Sequence, residues 1–165
     1  MDKTITTALL IIAGIVCSVF LFNSVYPMIN RSSAAMVSMT EKIDDRMKSQ
    51  IDIVHAASSA DKRTVYIWIK NVGSSRITTI DQSDVFLGPE GDFMRIPYYK
   101  NNDGSEIPPP CWSYDIENDP GNTTEWKTGE TVKITVTNST PLVSDTYFIK
   151  VVIPNGIAAE YYFSM

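Results

Sequence analysis

The sequence predicts an α+β protein: a long N-terminal helix, hydrophobic and then amphipathic, followed by an antiparallel immunoglobulin-like β-sandwich. Three observations predict it. Residues 4–30 carry no charge, and within them ALLIIAGIVCSVFLF at 8–22 has one polar side chain, Ser18. Beyond that run the apolar residues first recur with a mean period of 3.6 and then with a period of 2. The period-2 part holds about eight short runs in roughly 100 residues, with turn residues every eight to twelve.

The apolar run comes first. At 1.5 Å per residue it makes roughly 40 Å of helix, more than the ~30 Å of a hydrocarbon core. A cleaved secretory signal would need a basic leader and a small-residue cleavage site. Lys3 stands beside Asp2 instead, and FNSVYPMINRSSAAM offers no such site, so a retained segment is expected. Gly14 and Ser18 form a small-xxx-small pair, as do Ala13 and Cys17, and such pairs permit close helix approach. Pro27 predicts a kink.

Past Pro27, Met36, Met39, Ile43, Met47, Ile51 and Val54 follow at steps of 3, 4, 4, 4 and 3, with charged residues between them. This predicts an amphipathic continuation to about Ala57 whose narrow apolar seam packs against other helices. Gly14, Ser18, Met36, Met39, Ile43, Met47 and Ile51 are the candidate self-association residues. The expected organisation is a helix over 1–57, a linker over 58–63 and a sandwich over 64–165. Ser58-Ser59-Ala60-Asp61 is the expected switch.

The strands follow in order. TVYIWIKN at 64–71 places Val65, Ile67 and Ile69 on one face. Asn71-Val72-Gly73-Ser74-Ser75 is a turn. Residues 76–80, 83–87, 92–99 and 112–116 are further strand candidates. ETVKITVT at 130–137 alternates with Val132, Ile134 and Val136 inward, and 145–153 with Tyr147, Ile149 and Val151 inward. Pro154-Asn155-Gly156 is a hairpin turn into 157–163.

The composition excludes several functions. Net charge is −5, which disfavours nucleic acid and anionic lipid. Cys17 and Cys111 lie too far apart in character and sequence to form a disulfide framework. His55 is the single histidine, expected at a helix end, and no nucleophile motif or phosphate loop accompanies it, so no enzyme and no cofactor are expected. The acidic loop 101–122 gathers Asp103, Glu106, Asp115, Glu117 and Asp119, but the EF-hand spacing is not met, and a solvated loop is expected over a calcium site. A tethered ligand-binding module using this loop stays open as an alternative. Trp68, Tyr98, Tyr99 and Trp112 are candidate exposed aromatics for a partner, and a sheet edge is a further route.

Orientation rests on sequons, because basic residues nearly balance across the apolar run. Asn30-Arg31-Ser32, Asn122-Thr123-Thr124 and Asn138-Ser139-Thr140 fit the glycosylation pattern, with Asn122 and Asn138 the candidate acceptors on an outer domain.

The chain resembles the archaeal flagellin superfamily, and most of all the archaellum accessory protein G family. ITTALLIIAGIV at 5–16, NSVYPMINRSSAAMVSMTEKIDDRMKSQIDIVHA at 23–56, VYIWIKNVGSSRI at 65–77, DVFLGPEGDFMRIPY at 84–98 and YFIKVVIPNGIAAEYYFS at 147–164 carry the resemblance. It implies a non-enzymatic, stator-type component of the archaellum, anchored in the membrane by its N-terminal helix. It also implies self-assembly into a homo-oligomer and partnership with the related accessory protein F and the S-layer. One departure stands out. Lys3-Thr4 lacks the small residue that precedes cleavage in archaellin and pilin precursors, and position 5 is Ile where pilins carry Glu. A filament subunit of archaellin or type IV pilin type is the alternative.

Overall fold

A computed structural model describes residues 2–101, 103–119 and 124–165. The chain divides into two compact units, Met1–Ile43 and Asp44–Met165.

Helix α1 spans Asp2–Lys48 and runs unbroken through Pro27. It is long and apolar enough to cross a membrane. The Ser18 hydroxyl donates to the Gly14 carbonyl at 2.8 Å, and Thr40 does the same to Met36 at 2.9 Å, which hides both hydroxyls against their own helix.

The strands are β1 (Ile51–Ser58), β2 (Thr64–Asn71), β3 (Asp84–Pro89), β4 (Met94–Ile96), β5 (Cys111–Ile116), β6 (Thr131–Thr137), β7 (Thr146–Val152) and β8 (Ala158–Ser164). They form two antiparallel four-stranded sheets, ordered β1-β2-β6-β5 and β4-β3-β7-β8. These orders are the ABED and C′CFG orders of an immunoglobulin-type sandwich, so the expected architecture extends to topology. Residues 76–80 form no strand: Ile77 makes a single bridge to Trp126, and Ile80–Gln82 is a short 3₁₀ helix.

The core sits between the sheets. Val65, Ile67 and Ile69 of β2, Val132, Ile134 and Val136 of β6, Val85 and Leu87 of β3, and Ile149 and Val151 of β7 fill it, with Trp112 and Trp126 at its margins. Alternation places these residues inward because the side-chain period of a strand is 2.

The helix ends nine residues short of the expected Ala57. Ser49 closes its last turn through its amide and hydroxyl on the Asp45 carbonyl, at 3.1 and 2.7 Å. Residues 51–58 are β1, not helix. Ile51 is therefore removed from the self-association set: it is 5% exposed and packs in the sandwich core with Ile53 and Ala56. The misreading has a physical origin. The register of β1 against β2 shifts between Ile53 and His55, and this bulge at Val54 breaks the alternation that would have marked a strand. Ser58 ends β1 and Ser59-Ala60-Asp61 lies in the β1–β2 connection, so no linker separates anchor from sandwich there.

Candidate functional site

Several surfaces of this chain are open to other macromolecules. Three stand out: the apolar helix, the joint where the helix enters the sandwich, and the outer faces of the sheets.

On α1 the predicted residues Met36, Met39, Ile43 and Met47 are all exposed, Met47 by 81%. Gly14 has open space where a Cβ would stand. The large apolar side chains along residues 5–29 are exposed, Phe22 stacking only on Tyr26 of the same helix among the ring contacts, which is the condition of a helix that meets lipid or other helices.

The joint was not legible as anything but a turn. Asn71 is fully buried at the end of β2 and every polar atom of its side chain is used. Its amide nitrogen donates to the carbonyls of Ser75 and Trp126 at 2.9 and 3.2 Å, and its oxygen accepts the Gly73 amide at 3.0 Å. A buried polar group is tolerated only when satisfied in this way. The loop that Asn71 shapes then grips the chain leaving the helix. Ser74 and Ser75 donate to the Lys48 carbonyl at 2.7 and 3.1 Å, and Val72 and Gly73 both donate to the Gln50 carbonyl at 2.9 Å. These contacts satisfy the carbonyl of Lys48, the last residue of α1, and that of Gln50 just beyond it. Gly73 is required by proximity: a Cβ there would stand 2.5 Å from both the Lys48 oxygen and the Gln50 nitrogen. On the other sheet Arg46 Nε donates to the Asn155 carbonyl at 2.8 Å, and its guanidinium lies where a Cβ on Gly156 would stand. Gly156 also holds φ at +84°, as the predicted Pro154-Asn155-Gly156 turn needs.

The sheets carry two aromatic groups. On the β1/β2 face, Trp68 stacks on His55 at 5.6 Å and donates from Nε1 to Glu117 Oε1 at 3.3 Å. His55 is thus a strand residue, not a helix end. On the β3/β7/β8 face, Phe93 lies 4.8 Å from Phe148, which lies 5.1 Å from Tyr162, with Phe86 at 6.3 Å from Phe93. Phe148 points away from the core yet is 7% exposed, because Phe93 folds over the strand above Gly88. Among the predicted exposed aromatics, Trp68 and Tyr99 are half-buried. Trp112 is a core residue at 1% exposed, with Tyr98 packed on it at 4.8 Å.

Among the described residues, no three His, Cys, Asp or Glu side chains gather closely enough to hold a metal ion. Cys17 and Cys111 are free, and burial pushes the Cys111 thiol up from its ordinary value. Asn122 lies outside the described residues. Asn138 follows β6 with its side-chain amide donating to the Arg63 carbonyl at 3.3 Å.

Comparison with known proteins gives these surfaces a context. The family model for archaeal-type flagellin matches residues 4–163. The solved archaellum periplasmic stator protein FlaG of Sulfolobus acidocaldarius is 32% identical with a TM-score of 0.56, over 70% of this chain and 99% of that one. A chain of the solved archaellum periplasmic stator protein complex of FlaF and FlaG from the same organism is 31% identical with a TM-score of 0.55, over 69% of this chain and 88% of that one. An uncharacterized protein of Archaeoglobus fulgidus is 28% identical over 168 residues, 98% of each chain. This chain belongs to the archaeal-type flagellin family.

Proposed function

We propose that the chain is a stator-type accessory protein of the archaellum, non-enzymatic and anchored in the cell envelope by α1, with the sandwich outside the cytoplasm. The observation that carries this reading is the likeness to the FlaG stator protein over nearly the whole of that protein, joined to a helix whose large apolar side chains are exposed. The helix supplies anchoring and self-association through Gly14, Ser18, Met36, Met39, Ile43 and Met47. The sandwich supplies the docking face for an accessory protein of the FlaF kind and, through it, the S-layer.

Ile43 lies mid-seam and is the residue to perturb. An unpaired carboxylate buried in an apolar helix seam is unfavourable by several kcal/mol. Ile43→Asp is expected to abolish assembly beyond a dimer in detergent while near-UV circular dichroism of the sandwich stays unchanged. Assembly equal to that of the wild type removes the helix reading. Fractionation tests the role itself: recovery from membranes and not from sheared filaments supports the accessory protein, and recovery from the filaments reverses it.

A further inference from the structure

Four strands end the two sheets, and three of them are closed to addition. β1 is bulged at Val54 and presents Asp52. β4 is three residues long. β5 is covered by the segment after β4, since Tyr99 donates to the Trp112 carbonyl at 2.8 Å and Trp112 to the Pro97 carbonyl at 2.9 Å. Such devices are how natural sheets protect their edges. β8 has none of them within its own sheet, although β1 of the facing sheet runs close to it. It pairs with β7 in unbroken register over all seven residues, contains neither Pro nor Gly, and its one charge, Glu160, is bound across the strand to Lys150 at 2.7 Å.

The direction of its backbone follows from the ladder. Ile153 donates to the Ile157 carbonyl and Met165 to the Asp145 carbonyl, which sets the odd-numbered residues of β8 in hydrogen-bonded pairs with β7. Ala158, Glu160, Tyr162 and Ser164 therefore aim their N–H and C=O groups outward. All four are exposed, and among the described residues none of these groups has a hydrogen-bonding partner.

We propose that this edge binds β8 of a second copy of the chain, antiparallel, about a two-fold axis at Tyr161, to give one continuous eight-stranded sheet. The strand is complementary to itself in that register. Ala158 meets Ser164 and Glu160 meets Tyr162 as hydrogen-bonded pairs, so every outward group is used. Ala159 meets Phe163, small against large, and Tyr161 meets its own copy. The neighbouring register centred on Glu160 sets two carboxylates face to face, and the one centred on Tyr162 leaves Ala158 and Ala159 unpaired. Charge and length together select the axis at Tyr161. The interface is separate from the helix seam.

The test uses the full chain in detergent with Cys17→Ser and Cys111→Ser. A non-hydrogen-bonded antiparallel pair has Cα atoms about 4.5 Å apart, within the reach of a disulfide. Tyr161→Cys is expected to give a covalent dimer under copper-phenanthroline, whereas Ser164→Cys, far from its own copy in this register, gives none. Adding Glu160→Pro, which removes an outward N–H and no bond to β7, abolishes the cross-link. A second series leaves the half-buried Tyr161 in place. In an Ile43→Asp background, sedimentation should show a dimer, Tyr162→Glu should reduce it to monomer, and adding Glu160→Lys should restore it. A monomer in the Ile43→Asp background, equal cross-linking at 161 and 164, or a cross-link that survives Glu160→Pro overturns the proposal.

Discussion

Gly73→Ala is a one-carbon test of whether the loop after β2 clamps residues 48–50 at the end of α1. The added Cβ stands 2.5 Å from the Lys48 oxygen and the Gln50 nitrogen and 3.0 Å from the Ser49 Cα, all backbone atoms that no rotamer change relieves. Ordinary contact requires the loop to withdraw by about 1 Å, the difference between that approach and a van der Waals separation of roughly 3.5 Å. That movement loosens four backbone hydrogen bonds, two on the Lys48 carbonyl and two on the Gln50 carbonyl. At about 1 kcal/mol each their loss sets an upper bound near 4 kcal/mol, and overpacking in proteins generally costs about 1–3 kcal/mol. A value of roughly 2–3 kcal/mol corresponds to a fall in Tm of about 8–12 °C for a domain of this size. The assay is thermal melting by near-UV circular dichroism of the full chain in detergent, with amide hydrogen exchange at Ser74 and Ser75. Protection of both amides should fall in the variant. A Gly73→Ala protein that melts within 1–2 °C of wild type, a shift worth only about 0.5 kcal/mol, refutes the clamp.

Ile67→Ala removes a fully buried side chain from the middle of β2 and should destabilise by about 2–5 kcal/mol in chemical denaturation, well above the half-buried Trp68→Ala. Gly88→Ala places a Cβ 2.4 Å from the Asp92 oxygen and 2.5 Å from the Phe93 Cα, so it should lift Phe93 off Phe148, cost about 1–3 kcal/mol and raise binding of a hydrophobic dye. Burial, then the nearby phenols and Asp81, pushes the Tyr98 phenol well above its ordinary value, and burial raises Tyr114. Both favour the neutral form in the folded state, so their contribution is complete below about pH 10 and is lost as pH rises beyond it. Absorbance titration should accordingly show two late phenols that join the rest on unfolding.

The period of apolar residues determined most of this protein, because it acts within one element. An uncharged run longer than a bilayer is helical whatever surrounds it, and Val65, Ile67 and Ile69 or Val132, Ile134 and Val136 face one way in any strand. The tertiary structure decided where those patterns stop. Met47, Ile51 and Val54 fit a helical stripe and a bulged strand equally well. The choice fell to the strand because Ile51 and Ile53 gain a core, while the loop after Asn71 captures the carbonyls of Lys48 and Gln50. Those donors lie more than twenty residues away, beyond the range of any local signal. Phe148 makes the same point at one residue. Alternation turns it outward, but Phe93, brought over by a glycine on the neighbouring strand, buries it. The free edge of β8 likewise exists only once the sheet order is set, since an edge is defined by the strand that does not arrive.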